Sequence, residues 1–178
     1  VAGDCFKRWI GGFYESGYST NPHWIARIEP NAEHPVTRSQ TMADINDEWY
    51  FSIRFPEDTG VTPLLQAIPD KQARSKNGYP PIPYPHIQAA DGKKETLMWG
   101  LERPDGGRGI GFTGGHWHRN WAHDQQRDAV LAGIVWVAGG DVPTHGICSA
   151  PVSRQELNVH LDPKRPLHEI QLPESAQK

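Results

Sequence analysis

Gly107-Arg108-Gly109-Ile110-Gly111-Phe112-Thr113-Gly114-Gly115-His116-Trp117-His118-Arg119-Asn120-Trp121 is the stretch on which the reading of this chain turns. Its first half reads as a short strand, Arg108 to Thr113, with Ile110 and Phe112 on one face. The glycines between them leave the other face bare, open to close approach by a backbone or a ligand. Gly114 and Gly115 take positive φ at little steric cost, so the chain can turn sharply at the strand end. His116, His118 and Asn120 follow at alternate positions. In an extended chain these three point to one side, and Trp117, Arg119 and Trp121 to the other. Polar groups converging at a strand end mark the usual place for a site in an α/β protein.

The flanks extend this reading. Glu95 to Arg103 and Arg108 to Thr113 enclose Pro104-Asp105-Gly106-Gly107, which predicts a β-hairpin turning at Asp105-Gly106. Asp124 to Ala138 has a helical period. Leu131, Ile134, Val135 and Ala138 form its stripe, widened by Val130 and Val137, which predicts a helix packed on a sheet. Asp124 is the expected N-cap and Gly139-Gly140 the stop. Upstream, His23 to Glu29 alternates Trp24, Ala26 and Ile28 against His23, Ile25 and Arg27. Asp47 to Phe55 sets Trp49, Phe51, Ile53 and Phe55 against Glu48, Tyr50, Ser52 and Arg54. Both patterns predict strands. Val61 to Ile68 reads as a third, placed at an edge by Pro63. Phe6, Trp9 and Ile10 fit a short amphipathic helix over residues 5 to 12, ended by Gly11-Gly12.

Residues 30 to 46 read as a connection. Residues 69 to 94 read as a long surface loop, in which Tyr79 to Pro85 has the composition of polyproline II or of a stiff excursion without a ligand. The domain then spans residues 1–140. Residues 141–178 form an extended tail with a short helix at 153 to 160.

Composition narrows the function. A chain of 178 residues suits one domain with a substantial core. A net charge of −3 and the lack of a dense Lys/Arg cluster argue against a nucleic-acid surface. No apolar run approaches the ~20 residues of a membrane span. Cys5 and Cys148 form neither a disulfide framework nor a zinc spacing, and leave the compartment open between cytoplasm and an exported location. Seven tryptophans are present. Burial accounts for most such residues, but Trp117 and Trp121 stand beside the histidines as candidate sugar-stacking platforms.

Gly109-x-Gly111-x-x-Gly114 matches a dinucleotide fingerprint by letters only. The helix that must open at the third glycine starts about ten residues later, so nucleotide binding is rejected. His116-x-His118 can share a divalent cation such as zinc, with His23 or Glu48 completing the set. The competing reading is a pair of hydrogen-bonded histidines without metal. Neither cysteine sits at a strand-to-helix elbow, so nucleophilic catalysis lacks support. General acid–base work by His116 or His118, helped by Glu48, remains. Asp47 reads as a strand-start hydrogen-bonding group, and Arg127 as a helix-start residue facing solvent or Asp124.

The motif at 107–121, followed by Ile134-Val135-Trp136-Val137-Ala138, resembles the C-terminal part of the ThuA-like (trehalose utilisation) family. Three earlier segments match in order: Trp9-Ile10-Gly11-Gly12, Asn21-Pro22-His23-Trp24, and His34-Pro35-Val36-Thr37 leading to Asp47-Glu48-Trp49-Tyr50. The resemblance covers roughly residues 6 to 163. It implies an α/β fold like that of class I glutamine amidotransferases, a flavodoxin-like layered sheet with helices, without the amidotransferase cysteine. It also implies that the family's first strands and helices, which precede the Trp9 segment, are not in this sequence, so another chain is a candidate to cover that side. The expected function is carbohydrate utilisation, acting on a small sugar or keto-sugar. His116, His118, His23 and Glu48 are the candidate catalytic residues, His116 and His118 the candidate metal ligands, and Trp117, Asn120 and Trp121 the candidate substrate contacts. The alternative is a non-catalytic module that binds a glycan or a protein.

Overall fold

A computed structural model describes residues 2–41, 43–57, 60–75 and 84–159. It is built of helices and one five-stranded sheet. The strands are β1 (His23–Pro30), β2 (Ala43–Glu48), β3 (Val61–Ala67), β4 (Glu95–Glu102) and β5 (Arg108–Phe112), in the spatial order β2-β1-β3-β4-β5. Every pairing is antiparallel. The helices are α1 (Ala2–Ile10), α2 (Lys71–Ser75), α3 (Pro85–Gln88), α4 (Asp124–Val137) and α5 (Arg154–Asn158), with a 3-10 turn at His118–Ala122. Among the described residues no helix is long and apolar enough to cross a membrane.

The hairpin is as the sequence predicts. β4 and β5 pair with Met98 opposite Phe112 and Glu102 opposite Arg108. Gly106 takes φ 82°, and Arg103 N donates to Gly107 O at 2.8 Å across the turn. β1 shows the expected alternation, with Trp24, Ala26 and Ile28 buried and His23, Ile25 and Arg27 exposed. The glycine face of β5 admits a backbone. A Cβ on Gly109 would lie 2.2 Å from the carbonyl oxygen of Trp9, so only glycine lets the end of α1 reach the sheet here. That end is held by the Trp99 indole, which donates to Ile10 O at 2.6 Å, and by Arg103 Nη1, which donates to Trp9 O at 3.1 Å. α1 ends at Gly11, whose φ is 88°.

Several expectations need correction. The second strand covers 43–48, not 47–55, so part of the presumed connection at 30–46 is strand. The alternation at 49–55 is still a burial pattern, with Trp49, Phe51 and Ile53 buried. The chain leaves β2 because Trp49 turns back, its indole donating to Ile45 O at 2.9 Å. Ser52 then takes φ 53°, and only isolated bridges follow, from Phe51 to Thr20 and from Arg54 to Phe13. β3 is central, not an edge strand. Pro63 is tolerated because the β3–β4 register shifts beside it and β1 pairs only further along, at Leu65 and Gln66. Within 69–94, α2 and α3 replace part of the loop. Buried Arg74 ties them to β4 through a 2.9 Å ion pair with Glu95 and bonds to the carbonyls of Ile87 and Lys93. Residues 79–83 of the proline tract and 160–178 of the tail lie outside the described residues.

α4 has the expected bounds but turns a different face inward. Gln126, Arg127, Ala129, Ala132, Gly133 and Trp136 are buried, whereas Leu131, Ile134 and Val137 are exposed. Small residues win the sheet-facing side because the helix sits close. A Cβ on Gly133 would come 2.5 Å from Ile110, and the Trp136 ring fills the space over Gly100. His123, not Asp124, is the N-cap, without a side-chain cap bond. Arg127 is buried rather than solvent-facing and donates to Asp124 at 2.5 Å and to the carbonyls of Trp121 and Ala150. The helix stops as expected: Gly140 N donates to Val135 O and Gly139 N to Trp136 O, a Schellman motif with Gly139 at φ 80°. In the tail, α5 opens with a capping box formed by Ser153 and Glu156.

Candidate functional site

The site forms where the start of β1, the end of β2 and the segment after β5 meet. His23 and Glu48 are direct cross-strand partners in the β1–β2 ladder, which places their side chains side by side. The third component, His116, arrives on the turn after β5. Gly115 has φ 98°, and buried Asp47 fixes the turn. One carboxylate oxygen of Asp47 accepts from Gly115 N at 2.8 Å. The other accepts from Trp117 N at 3.1 Å and Glu48 N at 2.8 Å. Asp47 therefore locks the His116 segment to the end of β2: it is a hydrogen-bonding group as expected, but at the end of a strand rather than at its start.

At the centre, His116 Nδ1 lies 2.6 Å from Glu48 Oε2. Asn21 Nδ2 donates to Glu48 Oε1 at 2.6 Å, and the Tyr50 hydroxyl lies 3.5 Å from Oε2. An ionised carboxylate only accepts, so in the neutral ring His116 carries its proton on Nδ1 and keeps a lone pair on Nε2. The His23 ring meets the His116 ring edge-on at 5.2 Å. His23, Glu48 and His116 each offer one donor atom, all within 4.8 Å of one another. The Trp117 indole donates to His23 Nδ1 at 2.8 Å, and the Arg119 guanidinium stacks 4.0 Å over the Trp117 ring.

His116 stands at the rim of an open groove of about 780 Å³ between α1 and the sheet. Tyr14 and Tyr50 flank it, Phe6 lies on the α1 side, and Trp99, Gly111 and Phe112 belong to the β4–β5 side. Burial, then the nearby Glu48 carboxylate, raises the Tyr50 hydroxyl above the ordinary phenol range. Burial also raises Tyr14, followed by the influence of Tyr84 and Glu48. Both phenols therefore stay protonated and able to donate. Tyr14 already gives its proton to Asn21 Oδ1 at 3.1 Å.

The structure separates the residues that an extended chain would align. The chain leaves the extended path at Trp117 and enters the 3-10 turn, so His118 swings away from His116. Its Nε2 lies 2.9 Å from Leu157 O at α5, and it is not part of the three-donor cluster. Asn120 is buried and donates to Asn46 O at 2.8 Å, a tie between segments rather than a surface contact. Trp117 and Trp121 are not among the groove-lining residues. Sequence reasoning missed Tyr14, Tyr50 and Asn21. Tyr50 had a signal, since it follows Glu48 by two; Asn21 lies in the segment that carries His23; Tyr14, in an irregular loop, had none.

Comparison with protein-family models, with curated proteins and with solved structures finds no match to this chain.

Proposed function

We propose that the chain belongs to a ThuA-like domain with an amidotransferase-related fold, and that it acts on a sugar or keto-sugar by acid–base chemistry at His116. The observation that carries this reading is the 2.6 Å contact between His116 Nδ1 and Glu48 Oε2 at the rim of the groove. A carboxylate on Nδ1 fixes the tautomer and ring orientation and leaves Nε2 as the proton acceptor. Such a dyad suits removal of a proton from a sugar hydroxyl or from a carbon beside a carbonyl. Glu48 stabilises the imidazolium that forms. Tyr50 and Tyr14 supply hydroxyls and flat faces against which a pyranose can lie.

The test is turnover of a panel of disaccharides and their keto derivatives, followed as product formation. His116→Ala and Glu48→Gln should each lower kcat by about 10²- to 10⁴-fold, the usual share of a positioned acid–base group, with circular dichroism unchanged. The second reading, a non-catalytic binding module, draws on the rings of Phe6, Phe13, Tyr14, Tyr50, Trp99 and Phe112 that line the groove. Saccharide binding without turnover, unaffected by His116→Ala, would select it.

A further inference from the structure

We propose that His23, Glu48 and His116 form a divalent transition-metal site in which the Trp117 indole competes with the cation for His23. The proposal deepens the acid–base reading, because it concerns the same side chains. Two imidazoles and one carboxylate are borderline donors suited to zinc, cobalt or manganese. Metal–ligand bonds of about 2.0–2.2 Å place neighbouring donors roughly 3–3.5 Å apart. The three donor atoms here already lie within 4.8 Å of one another, so rotamer adjustment suffices. Glu48 is steadied by Asn21 and Tyr50, the outer bonds a metal-binding carboxylate requires. Both histidines are exposed, which leaves coordination positions for water or substrate.

The competition follows from counting lone pairs. A neutral imidazole has one nitrogen with a free lone pair, and indole N–H is a donor only. In the metal-free arrangement His23 gives that lone pair, on Nδ1, to Trp117. A cation on Nδ1 takes the same lone pair. A cation on the other ring nitrogen requires a proton on Nδ1, which then faces the indole N–H. Either way the Trp117–His23 bond breaks. The backbone of Trp117 stays in place, because its N–H is bound to Asp47, so the change is a swing of the indole and of the Arg119 guanidinium stacked on it. A cation held by Nδ1 of His116 would replace its hydrogen bond to Glu48 and require the ring proton on Nε2.

The experiment is calorimetric titration of the chelator-stripped full chain with zinc and with cobalt(II), in the absence of sugar, with the cobalt d–d absorption recorded. We expect one-to-one binding and a tetrahedral or five-coordinate cobalt spectrum. His23→Ala and Glu48→Gln should weaken binding by about tenfold or more. Trp117→Phe keeps an aromatic ring but removes the N–H, and should tighten binding roughly two- to tenfold, the worth of one net hydrogen bond. Binding no better than that of the His23→Ala/His116→Ala double variant overturns the site. Unchanged or weaker binding in Trp117→Phe overturns the competition. These readouts need no turnover, so a failed metal site leaves the acid–base reading standing. Turnover that persists in His116→Ala defeats that reading without touching the metal result.

Discussion

At the scale of single residues, the candidate site depends on a group that does no chemistry in it. Asp47 lies beneath the Glu48–His116 pair and accepts three backbone N–H bonds, from Glu48, Gly115 and Trp117. A carboxylate is the only side chain of its size with two pure acceptors. In Asp47→Asn one oxygen becomes an NH₂ facing a backbone N–H, and a buried donor loses its partner. Hydrogen bonds to a charged group contribute about 1.5–3 kcal/mol each. The variant should therefore lose about 2–4 kcal/mol in urea denaturation and release His116 from Glu48. A loss below about 0.5 kcal/mol, the range of an ordinary surface change, would show that the turn after β5 holds without Asp47. The sequence marked Asp47 as a hydrogen-bonding group but could not show for which donors, since Gly115 and Trp117 are 68 and 70 residues away.

At the scale of elements, local rules were legible and long-range ones were not. The β4–β5 hairpin, the alternation of β1, the bounds of α4 and its Gly139-Gly140 stop follow from turn chemistry and periodicity over a few residues. The burial pattern of 49–55 was also visible, yet those residues are not a ladder, because pairing depends on partners at Thr20 and Phe13. The inward face of α4 was misread for a related reason. Leu131 and Ile134 carry more apolar area than Ala129, Ala132 and Gly133, but close packing on Ile110 and Met98 selects small side chains. The site shows the same division: the alternation that carries His23 was legible, the end of β2 that carries Glu48 was misread as a strand start, and His118 was lost where an extended path became a 3-10 turn. The helix stop provides a clean test. A Cβ at Gly139 meets nothing within 4 Å, so Gly139→Ala carries only the cost of φ 80°. That cost is about 1–2 kcal/mol for an L residue in the left-handed region, read as a shift of the urea midpoint at constant slope. A neutral result would mean that the last turn of α4 rearranges.

At the scale of the whole molecule, acid should unfold the chain through histidines remote from the proposed chemistry. His123 is buried at the N-terminus of α4, and His34 is partly buried with its ring 5.0 Å from Trp136. Burial lowers both below the ordinary histidine range, and at His123 the Arg119 and Arg127 guanidinium groups add to it. The helix N-terminus also disfavours a cation. The sign is then fixed. In the window between the lowered folded values and the unfolded value of about 6.5, the unfolded chain binds more protons than the folded one. Stability is therefore complete above about pH 6.5 and declines as pH falls through that window. Thermal melts followed by circular dichroism should show a flat midpoint from pH 8 to 7 and a falling one from 6.5 to 5. In His123→Asn the N-cap keeps a suitable side chain but loses the titrating ring, so its midpoint should fall less over the same interval. An equal fall would assign the acid sensitivity to His34 or to other groups.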